Sequence, residues 1–560
     1  MNRGHWIAFS VFLVALFLHL FFRLFPDSVY SSLEAGEFIA ASRSLIPAGK
    51  SSYLPVNELW WDTSWLFNLL VYLSHRALGL LSLHLLAGLL AGALGLALIR
   101  VGGGGIASGF LVLATVSIID TALVFNSSLP SLFIFALEIH LLSSPRKSRF
   151  LLPILFLVWS QIDLSYLAGF FYMILYLAGS LIEAKGKGWR GAILMFFASA
   201  IAILPSTNTL KLLSEPSSIY LYWLYWLPSP NFHSLENRLI AVFILAGLAG
   251  ETFGKERHLG RSLGLLAFFF LSLLSADYLP LAAISAVPGI AMGIGELKDR
   301  AKILFPLQKP ASSALLVIFS ALYFLAPSMG FLEPSDRWEK RMALRFLLKA
   351  PFFGEVHHPP DMAGLLSWKT DRKVAMDPRK GLYPRDTLRL YKQLEKVGDK
   401  GWKAVAEKYG VKIFLTPYPS DLYDRLATLE DWALVYDSQG YAIFVENKGI
   451  NLDIIQRMRQ LKPRPGVTKQ SPSELARSFK QNADRFERKG NFHRAAWDLG
   501  KYIILTPQDH ASRLRLGKIY IRMGEVEIAR RELLRFLMES TSPKLRGEAQ
   551  RALEGIDGKP

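Results

Sequence analysis

The sequence predicts a polytopic α-helical membrane domain, then a small α/β domain and a C-terminal module of helical repeats. Three observations predict this order. Hydrophobic residues make up 51% of the 560 residues, and the excess lies in residues 1–330, as in an integral membrane domain. Residues 331–450 are charged and mixed in composition. After the linker 451–472, residues 473–560 carry a helical pattern that repeats about every 34 residues.

The membrane domain is predicted to contain about eleven spans. The N-terminal segment is shaped like a signal peptide, but no small-residue cleavage site follows it, so we predict an uncleaved first span. The predicted spans are 6–25, 80–100, 105–122, 129–143, 150–164, 166–182, 190–206, 238–253, 262–276, 279–295 and 311–329. Basic loops fall at every second connection, which predicts a cytoplasmic N-terminus and an extracytoplasmic region after residue 330.

Two loops predicted to lie outside carry unusual composition. The first, residues 26–79, is polar at its start, and its second half, WWDTSWLFNLLVYLSHRALG, favours a helix at the membrane surface. The second, residues 207–237, contains the run YLYWLYW at 220–226. That run fits either an interfacial aromatic belt or a platform for a lipid chain or a sugar ring.

The region after the spans is predicted to be a small α/β domain. DRKVAMDPR contains a short strand, and WKAVAEKYGVKIFLTP predicts a helix, a glycine turn and a strand. WALVYDSQGYAIFVE predicts two strands around a turn. These elements define the extracytoplasmic domain, residues 331–450.

The last domain, residues 473–560, shows tetratricopeptide spacing. One copy has Leu516, Gly517, Tyr520, Gly524 and Ala529, and an earlier copy has Phe486, Gly490, Ala495 and Pro507. Two repeats and a terminal helix at about 542–555 are fewer than a solenoid usually needs, so the module is expected to lean on the α/β domain or to bind a partner. The predicted basic surface favours an acidic protein or peptide and consists of Arg513, Arg515, Lys518, Arg522, Arg530 and Arg531.

Several classes of chemistry are disfavoured by composition. The chain has no cysteine, which excludes disulfides and thiolate catalysis. Its net charge of +18 fits cytoplasmic loops and anionic lipid, and no nucleic-acid-binding motif accompanies it. His357 and His358 lack a spaced third ligand, and GGGG at 102–105 lacks the Lys-Ser/Thr of a phosphate loop. We predict no metal, no cofactor and no nucleic-acid partner.

The order of certain residues matches a pattern found in one family. After the first span these are Asp27, Tyr30, Gly36, Ile39, Pro47, Ser52, Tyr53, Trp65, Leu66 and Gly79. Later ones are the turn Trp159 to Asp163 and the stretch Met376, Asp377, Pro378, Arg379 and Tyr383. In this order the chain resembles bacterial multi-spanning membrane proteins related to the GT-C glycosyltransferases, some of which carry C-terminal tetratricopeptide repeats.

The resemblance implies a GT-C-like fold in the bacterial inner membrane and transfer of sugar from a polyprenyl-phosphate donor at the outer face. It also implies that an essential carboxylate lies in the loop after the first span. Polar positions that depart from the family pattern are Ser31, Ser64, Gln161, Asp163 and Tyr225. These departures favour an alternative, a non-catalytic membrane-anchored tetratricopeptide scaffold on a degenerate glycosyltransferase fold. A transporter is less favoured, because the spans show no internal repeat and few charges.

Sugar transfer to a hydroxyl needs a base for the acceptor and a cation for the leaving phosphate. The candidate catalytic carboxylates are Asp27, Glu34, Glu37 and Asp62. The candidate phosphate-binding cations are Arg43 and Lys50, and the candidates for other substrate contacts are Asp163, Trp61, Tyr225 and Trp226. Each also has a structural interpretation, as a helix end, a solvated face, an interfacial anchor or a headgroup contact. The expected partners are a polyprenyl-linked sugar, membrane lipid and a protein or peptide bound by the helical module.

Overall fold

The structure is a computed structural model. It describes residues 3–22, 25–45, 52–56, 61–103, 106–119, 123, 125–144, 148–184, 189–214, 235–254, 257–300, 316–318, 335–350, 352–370, 372–377, 379, 382–398, 401–418, 420–438, 440–460, 472–488, 492–540 and 542–557. Helices dominate these residues, and a small sheet lies in the C-terminal half.

The described part of residues 1–300 forms a bundle of mostly apolar helices. They are α1 (Arg3–Phe22), α2 (Asp27–Ser42), α3 (Trp65–Leu78), α4 (Leu80–Val101), α5 (Ile106–Ile118), α6 (Ser128–Ser143), α7 (Leu152–Ile162), α8 (Tyr166–Glu183), α9 (Trp189–Ile203), α10 (Thr207–Ser214), α11 (Leu235–Phe253), α12 (Leu259–Leu274) and α13 (Leu279–Arg300). Their buried side chains form one continuous apolar cluster.

Three segments of this bundle are long and apolar enough to cross a membrane. They are Leu80–Val101, Tyr166–Glu183 and Ala276–Glu296. Helices α9 and α10 together pass the same test but are bent by 89°, as in a broken span or a re-entrant loop. Other apolar helices, including α6 and α12, are 10–17 residues long. Within the described ranges the structure therefore offers three or four candidate spans, and the eleven-span topology stays a prediction.

The loop that follows the predicted first span contains two packed helices, α2 and α3. Gly36 of α2 lies directly on α3, because a Cβ atom there would be 2.2 Å from the carbonyl oxygen of Asn68 and 2.6 Å from Cβ of Tyr72. Only a residue without a side chain permits this approach. The helix predicted in the second half of the loop is confirmed as α3.

The α/β domain is built on a four-stranded sheet. Its strands are β1 (Glu355–His357), β2 (Val411–Pro417), β3 (Trp432–Asp437) and β4 (Tyr441–Glu446), in the order β1-β2-β4-β3. β1 runs parallel to β2, and β4 is antiparallel to β2 and β3. Around the sheet lie α14 (Ser335–Lys349), α15 (Ala363–Thr370), α16 (Arg385–Glu395), α17 (Trp402–Lys408), α18 (Asp421–Ala427) and α19 (Gly449–Gln460).

The sequence predictions for this domain are confirmed except at one strand. Helix α17, the turn at Gly410 (φ +66°) and strand β2 follow each other as predicted, and β3 and β4 form the predicted hairpin. The strand predicted near residue 374 is wrong. Val374 makes only an isolated parallel bridge with Ser52, because its partner is the membrane-domain loop rather than the sheet.

The C-terminal module consists of helices packed against their neighbours in sequence. They are α20 (Pro472–Arg488), α21 (Phe492–Leu505), α22 (His510–Met523), α23 (Val526–Glu539) and α24 (Pro543–Asp557). Gly524 adopts φ +80° and ends α22, as a left-handed glycine cap does. The module contacts the α/β domain through ion pairs of Lys501 with Asp437 and of Arg531 with Asp421. The expected contact between these two domains is therefore present.

Candidate functional site

Asp27 joins the membrane domain to the α/β domain. Its two carboxylate oxygens accept hydrogen bonds from the backbone N–H groups of Gly364 (2.7 Å) and Leu365 (2.8 Å), in the first turn of α15. These N–H groups have no partner inside their own helix, and an anion there is favoured by the helix dipole. Burial raises the pKa of Asp27 to about 7, although the two N–H groups oppose that shift. Asp27 is thus an end cap for a helix 337 residues away in sequence.

Glu34 lies two turns after Asp27 on α2 and also contacts α15. The Ser367 hydroxyl donates to its Oε2 atom at 2.8 Å, so Asp27 and Glu34 both face α15 from one side of α2. Gly364 permits this packing, because a Cβ atom there would lie 2.5 Å from the Asp27 carbonyl oxygen and from the Ser31 hydroxyl. The α2–α15 contact is therefore close, polar and sensitive to added volume.

A buried arginine lies at the centre of the carboxylates in this junction. Arg379 Nη2 is 2.9 Å from Asp377 Oδ2, and the Arg379 backbone N–H donates to Asp377 Oδ1 at 2.8 Å. Burial alone would lower the pKa of Arg379, but Asp377, Glu34 and Asp62 act together to hold it above its ordinary value. We call Glu34, Asp62, Asp377 and Arg379 the junction cluster.

Asp62 is the most enclosed of the candidate carboxylates in the loop. Its side chain accepts from Asn68 Nδ2 at 2.7 Å and from the Ser64 backbone N–H at 3.0 Å. Burial raises its pKa, while Asn68, the Ser64 N–H and Arg379 counteract that effect. Asp62 therefore organises the turn that precedes α3 and adds negative charge to the junction cluster.

The segment that carries Asp377 is held by hydrogen bonds to two neutral side chains, those of Tyr383 and His358. The Asp377 backbone N–H donates to the Tyr383 hydroxyl oxygen at 2.9 Å. His358 Nε2 accepts from the Ala375 N–H at 2.9 Å and its Nδ1 lies 2.8 Å from the Pro359 carbonyl oxygen, so Nδ1 carries the proton. Burial lowers the pKa of His358 to about 4. The imidazole is neutral and both of its nitrogens make hydrogen bonds within the fold. His358 is therefore a structural residue.

Trp61 and Asp163 each make hydrogen bonds outside the junction cluster. Trp61 is 3% exposed, and its Nε1–H donates to Asn208 Oδ1 at 3.0 Å. Asn208 Nδ2 donates to the carbonyl oxygens of Thr63 and Ser160, both at 2.8 Å. Asp163 accepts from Ser127 Oγ (2.7 Å) and from the Ser165 N–H (2.8 Å). In this conformation both predicted substrate residues make structural contacts.

The other predicted site residues are not drawn into the junction. Arg43 ends α2 at φ +53° and is exposed. At 1.5 Å per residue it lies about 24 Å from Asp27, at the opposite end of the helix. Glu37 is exposed on α2. Lys50, Tyr225 and Trp226 lie outside the described residues. Arg43 and Asp27 therefore lie at opposite ends of α2.

The predicted basic surface of the helical module is compensated internally. Arg515 contacts Asp484 and Glu487, and Arg522 also contacts Glu487. The other four cations make five pairs, which are Arg513 with Glu532 and Glu539, Lys518 with Glu548, Arg530 with Glu527 and Arg531 with Asp421. Each of the six predicted cations has an acidic neighbour, which reduces the positive potential available to a partner.

Asp377, Arg379 and Asn208 were not among the predicted site residues. Asp377 and Arg379 carried a signal, because they belong to the stretch that contributed to the family resemblance. Asn208 carried no such signal beyond its place between two apolar segments.

No family model matches this sequence, and no curated protein matches it either. In the described part of the chain, no group of three or more His, Cys, Asp or Glu residues is arranged to hold a metal ion.

Proposed function

We propose that this protein is a membrane-anchored scaffold that holds an extracytoplasmic α/β domain and presents a tetratricopeptide-like module to a protein or peptide partner. In this proposal it is a multi-pass protein of the bacterial inner membrane, with a cytoplasmic N-terminus. The observation that carries the proposal is the use of Asp27 and Glu34. Their carboxylates accept hydrogen bonds from α15 and so fix the outer domain to the membrane domain.

The charge of the junction cluster also supports a scaffold. Three carboxylates, those of Asp377, Glu34 and Asp62, act electrostatically on the guanidinium of Arg379, the one cation of this cluster among the described residues. Even with Asp62 protonated, two carboxylates oppose one cation, so the cluster does not attract the anionic phosphate of a polyprenyl donor. Arg43, the described candidate for phosphate binding, is at the far end of α2.

The partner-binding face of the module is apolar in this proposal. Leu534 and Met538 are one turn apart on α23 and are 48% and 80% exposed. Exposed apolar side chains at this spacing form a contact stripe on a helix. Because the basic residues are paired within the chain, binding to this stripe is expected to withstand added salt.

A glycosyltransferase is the second candidate function. The raised pKa of Asp27 favours it. A carboxyl with a pKa of about 7 is matched to general-base catalysis near neutral pH. In this alternative Asp27 takes the proton of an acceptor hydroxyl while a sugar leaves its polyprenyl phosphate.

One set of experiments separates the two candidates. The full chain in lipid nanodiscs is incubated with polyprenyl-phosphate-linked sugars, and transfer is measured for the wild type and Asp27→Asn. A glycosyltransferase gives transfer that falls roughly 100- to 10,000-fold in the variant. A scaffold gives no transfer. It instead gives a cross-linked partner that is lost in Leu534→Asp/Met538→Asp and kept in the control Arg551→Glu, which changes an exposed residue of α24.

A further inference from the structure

A carboxyl group lies in the apolar interior of the membrane domain, with no polar partner among the described residues. Glu138 is on α6, inside the predicted span 129–143, and its side chain is 0% exposed. Neither carboxyl oxygen has a hydrogen-bond partner among the described residues. An isolated carboxylate in a hydrocarbon environment is very costly. The folded protein therefore holds Glu138 as the neutral acid.

The packing around Glu138 is close. A Cβ atom on Gly169 of α8 would lie 2.7 Å from Glu138 Oε2 and 2.2 Å from the Trp159 ring. Phe135, one turn before Glu138, contacts the rings of Trp159 and Tyr172, at centroid distances of 6.4 and 5.4 Å. The glycine leaves space that the carboxyl group fills. An apolar side chain would fill this space at lower cost, so packing alone does not explain a glutamate.

Titratable side chains continue from Glu138 along one face of α8. Tyr172 is 0% exposed, its hydroxyl group lacks a partner in the described part of the chain, and it is within electrostatic range of Glu138. One turn further, Tyr176 stacks on His258 with ring centroids 4.4 Å apart. His258 Nε2 is 3.4 Å from Ser180 Oγ and 3.8 Å from Glu183 Oε2. From Gly169 to Glu183 the helix rises about 21 Å.

This series of side chains ends at a partly exposed site. The side chains of His258 and Glu183 are 23% and 37% exposed, and both lie next to the basic connections predicted to be cytoplasmic. The other charged groups near the series are Arg149, Glu251 on α11 and Arg261 on α12. Arg149 lies over the Tyr176 ring, 5.9 Å from its centroid, and Glu251 and Arg261 form an ion pair at 3.0 Å. Glu251 and Arg261 act electrostatically on Tyr172.

We propose that Glu138 is a proton-binding site inside the membrane domain, and that water entering along the α8 face of Tyr172, Tyr176 and His258 carries its proton to the cytoplasmic side. On release, the O–H bond of the carboxylic acid breaks. The proton passes to a water molecule and leaves along this face as hydronium, while the two tyrosine hydroxyls keep their own protons. The net change is one carboxylate formed and one proton delivered. This activity is independent of the scaffold function proposed above.

Infrared difference spectroscopy of the full chain in nanodiscs tests the site. On a change from acidic to alkaline buffer, the wild type is expected to lose the C=O band of a protonated carboxyl in apolar surroundings. Glu138→Gln is expected to lack this band, and Glu251→Gln, a second buried carboxyl, is expected to retain it. A band of equal size in Glu138→Gln, or a wild-type band that stays constant while the protein remains folded, overturns the proposal.

Two further measurements keep the test decisive if Glu138→Gln does not fold. Dicyclohexylcarbodiimide reacts with protonated carboxyls in apolar sites, so it is expected to label Glu138 of the wild type, with a rate that falls as pH rises. Labelling of other carboxyls with none at Glu138 at any pH contradicts the proposal. His258→Phe keeps the ring stack on Tyr176 and is expected to slow proton release after a pH jump by about tenfold or more. An unchanged rate rules out the route through His258.

Discussion

Replacement of Asp27 is the most direct test of how the two domains are joined. Asp27→Ala removes both acceptors for the Gly364 and Leu365 N–H groups. Loss of a helix cap costs about 1–2 kcal/mol, which changes the ratio of docked to undocked α15 by roughly 5- to 30-fold. Asp27→Asn keeps one acceptor and is expected to lose about 1 kcal/mol.

The same contact is expected to depend on pH. The pKa of Asp27 rises from 3.8 to about 7 in the folded protein, so the neutral acid is the favoured form when α15 is docked. Docking is therefore strongest below about pH 4 and weakens as pH rises through about 7. A shift of about three pKa units sets an upper limit of about 4 kcal/mol on the docking free energy that is lost as pH rises. Because the residue is only partly buried, we expect about 1–2 kcal/mol.

Spin labels can measure docking without background labelling, because the chain has no cysteine. Ala40 on α2 and Lys369 on α15 are exposed and can be replaced by labelled cysteines in the full chain. The wild type is expected to give a single narrow distance at about pH 4 and a broader one at about pH 8, and Asp27→Ala a broad one at both. Asp27→Asn is expected to show no pH dependence. A narrow distance in Asp27→Ala at both pH values would refute the reasoning.

Three other predictions concern packing, topology and the module. Gly364→Ala places Cβ 2.5 Å from Asp27 and Ser31 atoms and is expected to weaken α15 docking by about 1–3 kcal/mol, whereas Gly547→Ala, with nothing within 4 Å, leaves the spin-label distance unchanged. Reporter fusions at residues 187 and 480 are expected to report opposite compartments, and the same compartment for both would contradict the odd number of spans. Partner binding by residues 473–560 is expected to persist in high salt, and loss of binding there would show that the paired arginines contribute.

Local sequence patterns were sufficient to predict the secondary-structure elements whose contacts are local in sequence. The helix, glycine turn and strand at 402–417 follow from apolar spacing and one glycine at positive φ. The helices after residue 472 likewise follow from apolar spacing within each segment. Such patterns depend on neighbours within a few residues, so the sequence contains the whole signal.

The sequence could not determine which partners the polar side chains of the candidate site take. A carboxylate after a span is equally compatible with a general base and with a cap, and only the tertiary structure places the first turn of α15 against Asp27. The prediction of a strand near Val374 was wrong for the same reason, because the partner of Val374 is Ser52, which is distant in sequence.

The sequence by itself determined an apolar, helix-rich N-terminal half, a small sheet and a helical C-terminal module, because hydrophobic periodicity is a local property. The tertiary structure decided the junction cluster, the internal pairing of the module's arginines and the burial of Glu138. Those features depend on hydrogen bonds, ion pairs and burial between residues far apart in the chain. Their energies are set by distance in space, which no spacing along the sequence records.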